Sequence, residues 1–259
     1  QLLIPDGPRK QKDGFHIAAM KFKELVESKS NGKVSIGLFP NATLGDERTL
    51  LEGMQMGTVD MGVITNGPVA NFLPQIAVFE LPFLFASRQE AYKILAGAVG
   101  QELLKKLESV NVIGLAYAER GFRNLTNTKN EVRVPDDMRG LKIRVMENPV
   151  YIDTFKTLGA NTLPMAWTEC LTALQQKTID GQENPINVIH SFKLNDTQKY
   201  LSLTRHTYSP AIFVMSKRAY NKLSGDLKTI FKQSAQTAAE YERKVNEENE
   251  ASQLADLKS

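Results

Sequence analysis

Leu141-Lys142-Ile143-Arg144-Val145 is followed by Asn148-Pro149, then Gly159, then Asn161-Thr162-Leu163-Pro164-Met165. The first run reads as an apolar strand. Asn148 supplies a helix cap with proline at the first helical position, and Gly159 stops that helix where a left-handed residue is needed. A second short strand then follows. Strand, helix, strand is the unit from which α/β folds are built. Within it, Arg144 is out of place, because burying a guanidinium requires an acid opposite it. No permanent acid is evident beside it, which points to a visiting carboxylate. The alternative is an ion pair within the same half of the molecule, with Glu147 or Asp153.

The same alternation extends in both directions. Toward the N-terminus, Lys33–Phe39 reads as a strand with Val34, Ile36 and Leu38 on one face. Asp46 caps a helix to about Gln55, and Val59–Ile64 is a second strand. Ser87-Arg88-Gln89-Glu90 has the spacing of a capping box and opens a helix through Ala96. Val112–Tyr117 is an apolar strand. Toward the C-terminus, Thr168 begins a helix ending near Lys177, and two strands are expected at Tyr200–Leu203 and Tyr208–Ser216. From Asp226 onward a long polar helix carries Leu227, Ile230, Phe231, Ala235, Ala238 and Tyr241 as a stripe at helical spacing.

Composition narrows the class. The chain has 259 residues, 42% hydrophobic and 24% charged, which is the make-up of a globular protein large enough for two lobes. A formal charge of +3, with no dense basic run, argues against nucleic acid as a partner. The apolar stretch from Ile76 to Ala86 is interrupted by Glu80 and Pro82, too broken to span a membrane. The start, Gln1-Leu2-Leu3-Ile4-Pro5, has neither a basic opening nor a long apolar core, so either a cytosolic or an already processed chain is expected. A single cysteine, Cys170, excludes an internal disulfide and a cysteine-based metal site, and it reads as a small core residue. His16, His190 and His206 are widely spaced, with no carboxylate at ligand spacing, so no metal and no other cofactor is expected.

A set of short motifs now converges. These are Phe22–Lys33, Leu44-Gly45-Asp46-Glu47-Arg48, Gly57-Thr58-Val59-Asp60-Met61 and Leu81-Pro82-Phe83-Leu84-Phe85. Gly121-Phe122-Arg123-Asn124, Gly140–Val145, Leu158-Gly159-Ala160-Asn161, Pro164-Met165-Ala166-Trp167 and Asp180-Gly181-Gln182-Glu183-Asn184-Pro185 follow in order. In this sequence of motifs the chain resembles the extracytoplasmic solute receptors of TRAP transporters, the DctP-type periplasmic binding proteins. The resemblance implies a two-lobe α/β fold of the Venus-flytrap kind, with mixed sheets and a long C-terminal helix bridging the lobes. Lobe I is expected from residues 1–120 plus about 210–246, and lobe II from 121–209 plus about 247–259. Family members continue several tens of residues past the position of Ser259, so lobe II is expected to lack its C-terminal tail.

The resemblance also implies roles. Arg144 aligns with the arginine that grips the ligand carboxylate in a two-pronged salt bridge, a task suited to a planar fork that stays protonated. Arg123 aligns with a second cleft arginine, otherwise a surface ion pair at the lobe junction. Asn184 aligns with an asparagine that hydrogen-bonds the carboxylate or a neighbouring hydroxyl, otherwise a turn residue before proline. Trp167 aligns with an aromatic ceiling, otherwise a core tryptophan. Thr65 and Asn66 occupy a position that varies with substrate, and nothing acidic is evident beside them. Tyr208 and the loop from Asp6 to His16 complete the expected site.

The implied function is a binding protein without catalysis, monomeric and periplasmic with its signal peptide removed. It would capture a small organic acid and deliver it to the membrane permease subunits of the transporter. The polar Thr65-Asn66 pair with Trp167 leans toward a sugar acid such as a uronate, with a C4-dicarboxylate or another carboxylate as alternative. The rival from another class is a lyase or isomerase acting on hydroxy acids, for which Glu183 and Glu169 would be the candidate acids.

Overall fold

The computed structural model describes residues 2–6 as backbone and residues 13–258 in full. Strand β1 (Leu2–Asp6) runs parallel to β2 (Ile36–Pro40), with α1 (Gly14–Lys29) between them in sequence. Then come α2 (Glu47–Met56), β3 (Met61–Thr65), the short α3 (Asn66–Val69), α4 (Arg88–Ala96) and α5 (Ala98–Lys106). The local signals act as expected. Asp46 accepts from the Thr49 N–H at 2.8 Å, and Gly57 ends the same helix at φ 76°. Ser87 accepts from the Glu90 N–H, while the Glu90 carboxylate reaches back to the Ala86 N–H at 2.8 Å.

The second part holds β4 (Val112–Asn127), β5 (Lys142–Val145), α6 (Pro149–Thr157), β6 (Asn161–Pro164), α7 (Trp167–Gln175), β7 (Gly181–Asn184) and α8 (Ile186–Ser191). It closes with β8 (Tyr200–Ser216), α9 (Lys217–Asn221) and α10 (Gly225–Lys258). Two expectations are corrected here. The strand expected to end at Tyr117 continues to Asn127, and the two strands expected over 200–216 are one. The two long strands pair with each other from Val112↔Ser216 to Asn127↔Tyr200. Glu119, Arg120, Arg123, Asn124, Thr126 and Asn127 are all buried. Their polarity conceals a strand from any reading based on apolar runs. The expected cleft wall over 6–16 lies partly outside the described residues, at positions 7–12. Its far end is helical, since Asp13 caps α1 and accepts from the Phe15 N–H at 2.9 Å.

The main sheet has six strands in the order β3-β8-β4-β7-β5-β6, antiparallel from β3 to β7 and parallel from β7 to β6. Its β3 end is covered on one face by a cluster from α2, α4 and α5, and on the other by α1 and α10. There Phe22 packs against Phe213 and Phe231 with ring centroids 5.5 and 5.6 Å apart. At the β6 end, one cluster gathers around Ile143, Tyr151 and Phe155, another around Cys170, Leu174 and Ile189. Helix α10 spans both ends: Phe231, Ala235 and Ala238 lie in the α1 cluster, while Leu254 and Leu257 rest on the α7–α8 cluster. Between these ends the stripe turns polar, with Glu242, Asn246 and Gln253 buried and Tyr241 46% exposed.

Candidate functional site

A cavity of about 100 Å³ lies between the two ends of the sheet. One wall comes from α1, α2, β3 and β4 through Phe15, Asp46, Glu47, Leu50, Val63 and Arg120. The other comes from the carboxyl ends of β5 and β6 through Arg144, Met146, Glu147, Met165 and Trp167. Parallel strands of α/β sheets gather ligands at that end. The two walls are stitched directly. Asn148 Nδ2 donates to Gly67 O at 2.9 Å, and Asn71 Nδ2 donates to Glu147 O at 2.7 Å.

Arg144 sits on β5 at the cavity wall, 4% exposed. Its Nε and Nη2 both donate to the Met165 carbonyl, at 3.0 and 2.8 Å, and its guanidinium lies 5.4 Å from the Trp167 ring. A carbonyl aims the fork without cancelling its charge. Among the described residues no carboxylate lies within 4.0 Å of it, so the Glu147 and Asp153 alternatives are not realised. A guanidinium has five N–H donors, and only part of that set is used here. Trp167 stands beside it at the start of α7, edge-on to Phe192 at 5.0 Å, with its indole N–H buried and unpartnered.

The cavity therefore gathers Arg144 and Trp167 from the expected set; the other candidates stand elsewhere. Arg123 is 1% exposed and gripped by Glu183, with Nε and Nη2 on the carboxylate and Nη2 also on the Glu183 carbonyl at 2.7 Å. Burial alone would raise the Glu183 carboxyl. The Arg123 charge, with hydrogen bonds from His206 and Arg123, instead holds it below its ordinary range. Asn184 is buried behind the wall and donates to Gln182 Oε1 at 2.6 Å. Tyr208 packs in the core against Phe122, and its hydroxyl donates to Glu119 at 3.2 Å. His16 lies on α1, but its neighbour Phe15 supplies the lining. The expectation that nothing acidic stands near Thr65 and Asn66 is wrong. The Thr65 N–H donates to Glu47 at 2.7 Å, and Asn66 Nδ2 donates to Glu80 at 2.8 Å. Neither side chain lines the cavity.

Glu80 belongs to a buried bridge, where it also accepts from the Tyr151 hydroxyl. Burial drives its carboxyl up to about 7, although the Tyr151 and Asn66 hydrogen bonds pull the other way. Cys170 is buried, with its thiol pushed up to about 11, as befits a core residue.

Arg120, Glu47 and Phe15 line the cavity without having been singled out as ligand residues. Residues three apart on a regular strand face opposite sides, so Arg120 and Arg123 compete for one direction. The outcome depends on a bulge: the β4–β8 register passes from Glu119↔Pro210 to Gly121↔Ser209 and skips Arg120. Gly121 at φ 110° accommodates the kink, and Pro210 needs no ladder N–H there. The adjacent glycine was the available signal.

Residues 9–259 match the family described as bacterial extracellular solute-binding protein, family 7, DctP. The 2,3-diketo-L-gulonate-binding periplasmic protein YiaO of Escherichia coli is 40% identical over 240 residues, 93% of this chain and 73% of that protein. A TRAP periplasmic solute-binding protein from Polaromonas sp. JS666, solved with D-erythronate, superposes with a TM-score of 0.96 at 42% identity, covering 99% of this chain and 84% of that one. The sugar acid binding protein DctPAm of Advenella mimigardefordensis, in complex with galactonate, gives 0.96 at 38% identity, covering 99% and 83%. Among the described residues no helix is long and apolar enough to cross a membrane. The chain belongs to the family 7 bacterial extracellular solute-binding proteins, the DctP-type periplasmic solute receptors of TRAP transporters.

Proposed function

We propose that this receptor captures a sugar acid, with Arg144 taking the ligand carboxylate and Trp167 covering its carbon skeleton. The carrying observation is the charge state of the wall: Arg144 is buried at the cavity, aimed by a carbonyl and left without an acid. A buried cation without a counter-ion is costly, and a guest carboxylate relieves that cost with a charge-assisted, forked pair. The similar proteins bound to D-erythronate and galactonate, and the one named for 2,3-diketo-L-gulonate, support an oxygen-rich acid rather than a plain C4-dicarboxylate.

In this reading the two ends of the sheet act as lobes, residues 1–120 plus about 210–246 against 121–209 plus about 247–259. They open and close about the β4 and β8 crossings. Closure delivers the walls to one ligand, and the closed shape is what the membrane permease of the transporter reads; the ligand must bind that state better than the open one. The receptor works in the periplasm. Arg123, Asn184, Thr65, Asn66 and Tyr208 support the walls from behind.

A thermal-shift screen against aldonates, uronates, C4-dicarboxylates and keto acids tests this. A ligand present at 100 times its dissociation constant adds about 2.7 kcal/mol of stability. Stabilisation by aldonates or uronates is expected; stabilisation by succinate or malate alone would overturn the sugar-acid reading.

A further inference from the structure

Three arginines line the cavity, and they are not equivalent. Arg48 is engaged by Glu52 at 3.1 Å. Arg120 is engaged by Asp13 at 3.3 Å, with the pair 9% and 1% exposed. Arg144 has no carboxylate partner among the described residues. The wall around Arg120 also carries Asp46 and Glu47. Formal charge at that end of the cavity is therefore already balanced or negative.

We infer that the Asp13–Arg120 pair is a hydroxyl-reading site that makes the cleft selective for monocarboxylate sugar acids over the corresponding dicarboxylates. This rests on the sugar-acid reading above and adds the residues that set the substrate subclass. Arg120 is built to stay in place. It is the extra residue of the β4 bulge, its guanidinium carbon lies 3.9 Å from the Phe15 ring centroid, and Asp13 holds one of its nitrogens. Asp13 is itself anchored, since its other oxygen accepts the Phe15 N–H that it caps. The remaining guanidinium N–H groups can donate to a neutral hydroxyl while Asp13 keeps the charge balanced. A carboxylate in the same place would meet Asp13 and Glu47 as like charges, and rejection of a wrong partner by like-charge contact is an effective source of specificity. One end of the cavity thus takes an anion, and the other takes alcohol oxygens.

The test pairs acids that differ at one end only: D-galactonate and D-galacturonate against galactarate, and D-erythronate against meso-tartrate. Dissociation constants are measured by calorimetry on the whole chain. The monocarboxylate of each bound pair is expected to be tighter by about tenfold or more. Asp13→Asn keeps a capping side chain on α1 and removes the charge, and Asp13→Ser does so with a smaller group. Both variants are expected to move the monocarboxylate-to-dicarboxylate ratio toward the dicarboxylate by about tenfold. Equal or tighter binding of the dicarboxylates by the unaltered protein would overturn the inference, as would an unchanged ratio in folded Asp13 variants. Failure of every sugar acid to bind would instead remove the sugar-acid reading itself and this inference with it.

Discussion

Arg123 and Arg144 are both buried guanidinium groups of the same chain, yet their surroundings are opposite. Arg123 sits in a closed cage: Glu183 grips it, His206 Nε2 lies 3.2 Å from the same carboxylate, and Tyr151 covers it at 5.4 Å. Arg144 meets a backbone carbonyl, an indole face and a cavity. A buried cation with a permanent acid is part of the architecture, and removing either partner leaves an uncompensated charge. A buried cation without one is unfinished until something arrives. The structure thus separates an arginine paired with an acid across the crossing strands from one that faces a cavity with a carbonyl as its partner.

The contrast is sharpest in stability. Arg123→Ala strands Glu183 in the interior, and the expected loss is about 3–5 kcal/mol by chemical denaturation. A loss below about 1 kcal/mol would show that the cage is not structural. Next in size is the bridge behind the cavity. Folding raises the Glu80 carboxyl from its usual 4.5 to about 7, so the folded chain keeps a proton that the unfolded chain releases. Its stabilisation is complete below the unfolded value and is lost as pH rises through about 7. That amounts to on the order of 3 kcal/mol across this window. Glu119 and Glu242, raised chiefly by burial, act in the same direction. Glu80→Gln is therefore expected to lessen the decline in stability between about pH 5 and 8 without abolishing it. An unchanged slope in denaturation curves would show that Glu80 is ionised in the fold.

The smallest expected effect is on Arg144 itself. Without ligand, Arg144→Ala gives up hydrogen bonds to one carbonyl and also removes an unpaired buried charge. The net change in stability is expected to stay within about 1 kcal/mol. A loss as large as that of Arg123→Ala would erase the distinction between the two sites.

What the sequence reveals and what it conceals divide along the same line. The caps at Asp46, Ser87 and Asn148, the stop at Gly159 and the odd arginine on β5 are local features, set by neighbours within a few residues. The run through Glu119, Arg120, Arg123 and Asn124 is different. Its partners include Asp13, Glu183 and Tyr208, far away in sequence, and its direction is set by a bulge against Pro210. Polar residues that satisfy one another across long strands look like loop until the pairing is known. For that reason the sequence draws attention to Arg123, which Glu183 cages, whereas the arginine of β4 that lines the cavity is Arg120.

Calorimetric titration of Arg144→Ala beside the unaltered protein, with the tightest sugar acid from the screen, is the most direct measurement. Loss of the forked carboxylate pair is expected to cost about 3–5 kcal/mol, roughly a hundredfold to several thousandfold in affinity, in a variant that still folds. Affinity within a few-fold of the unaltered protein would contradict the assignment of that guanidinium as the anchor for the ligand.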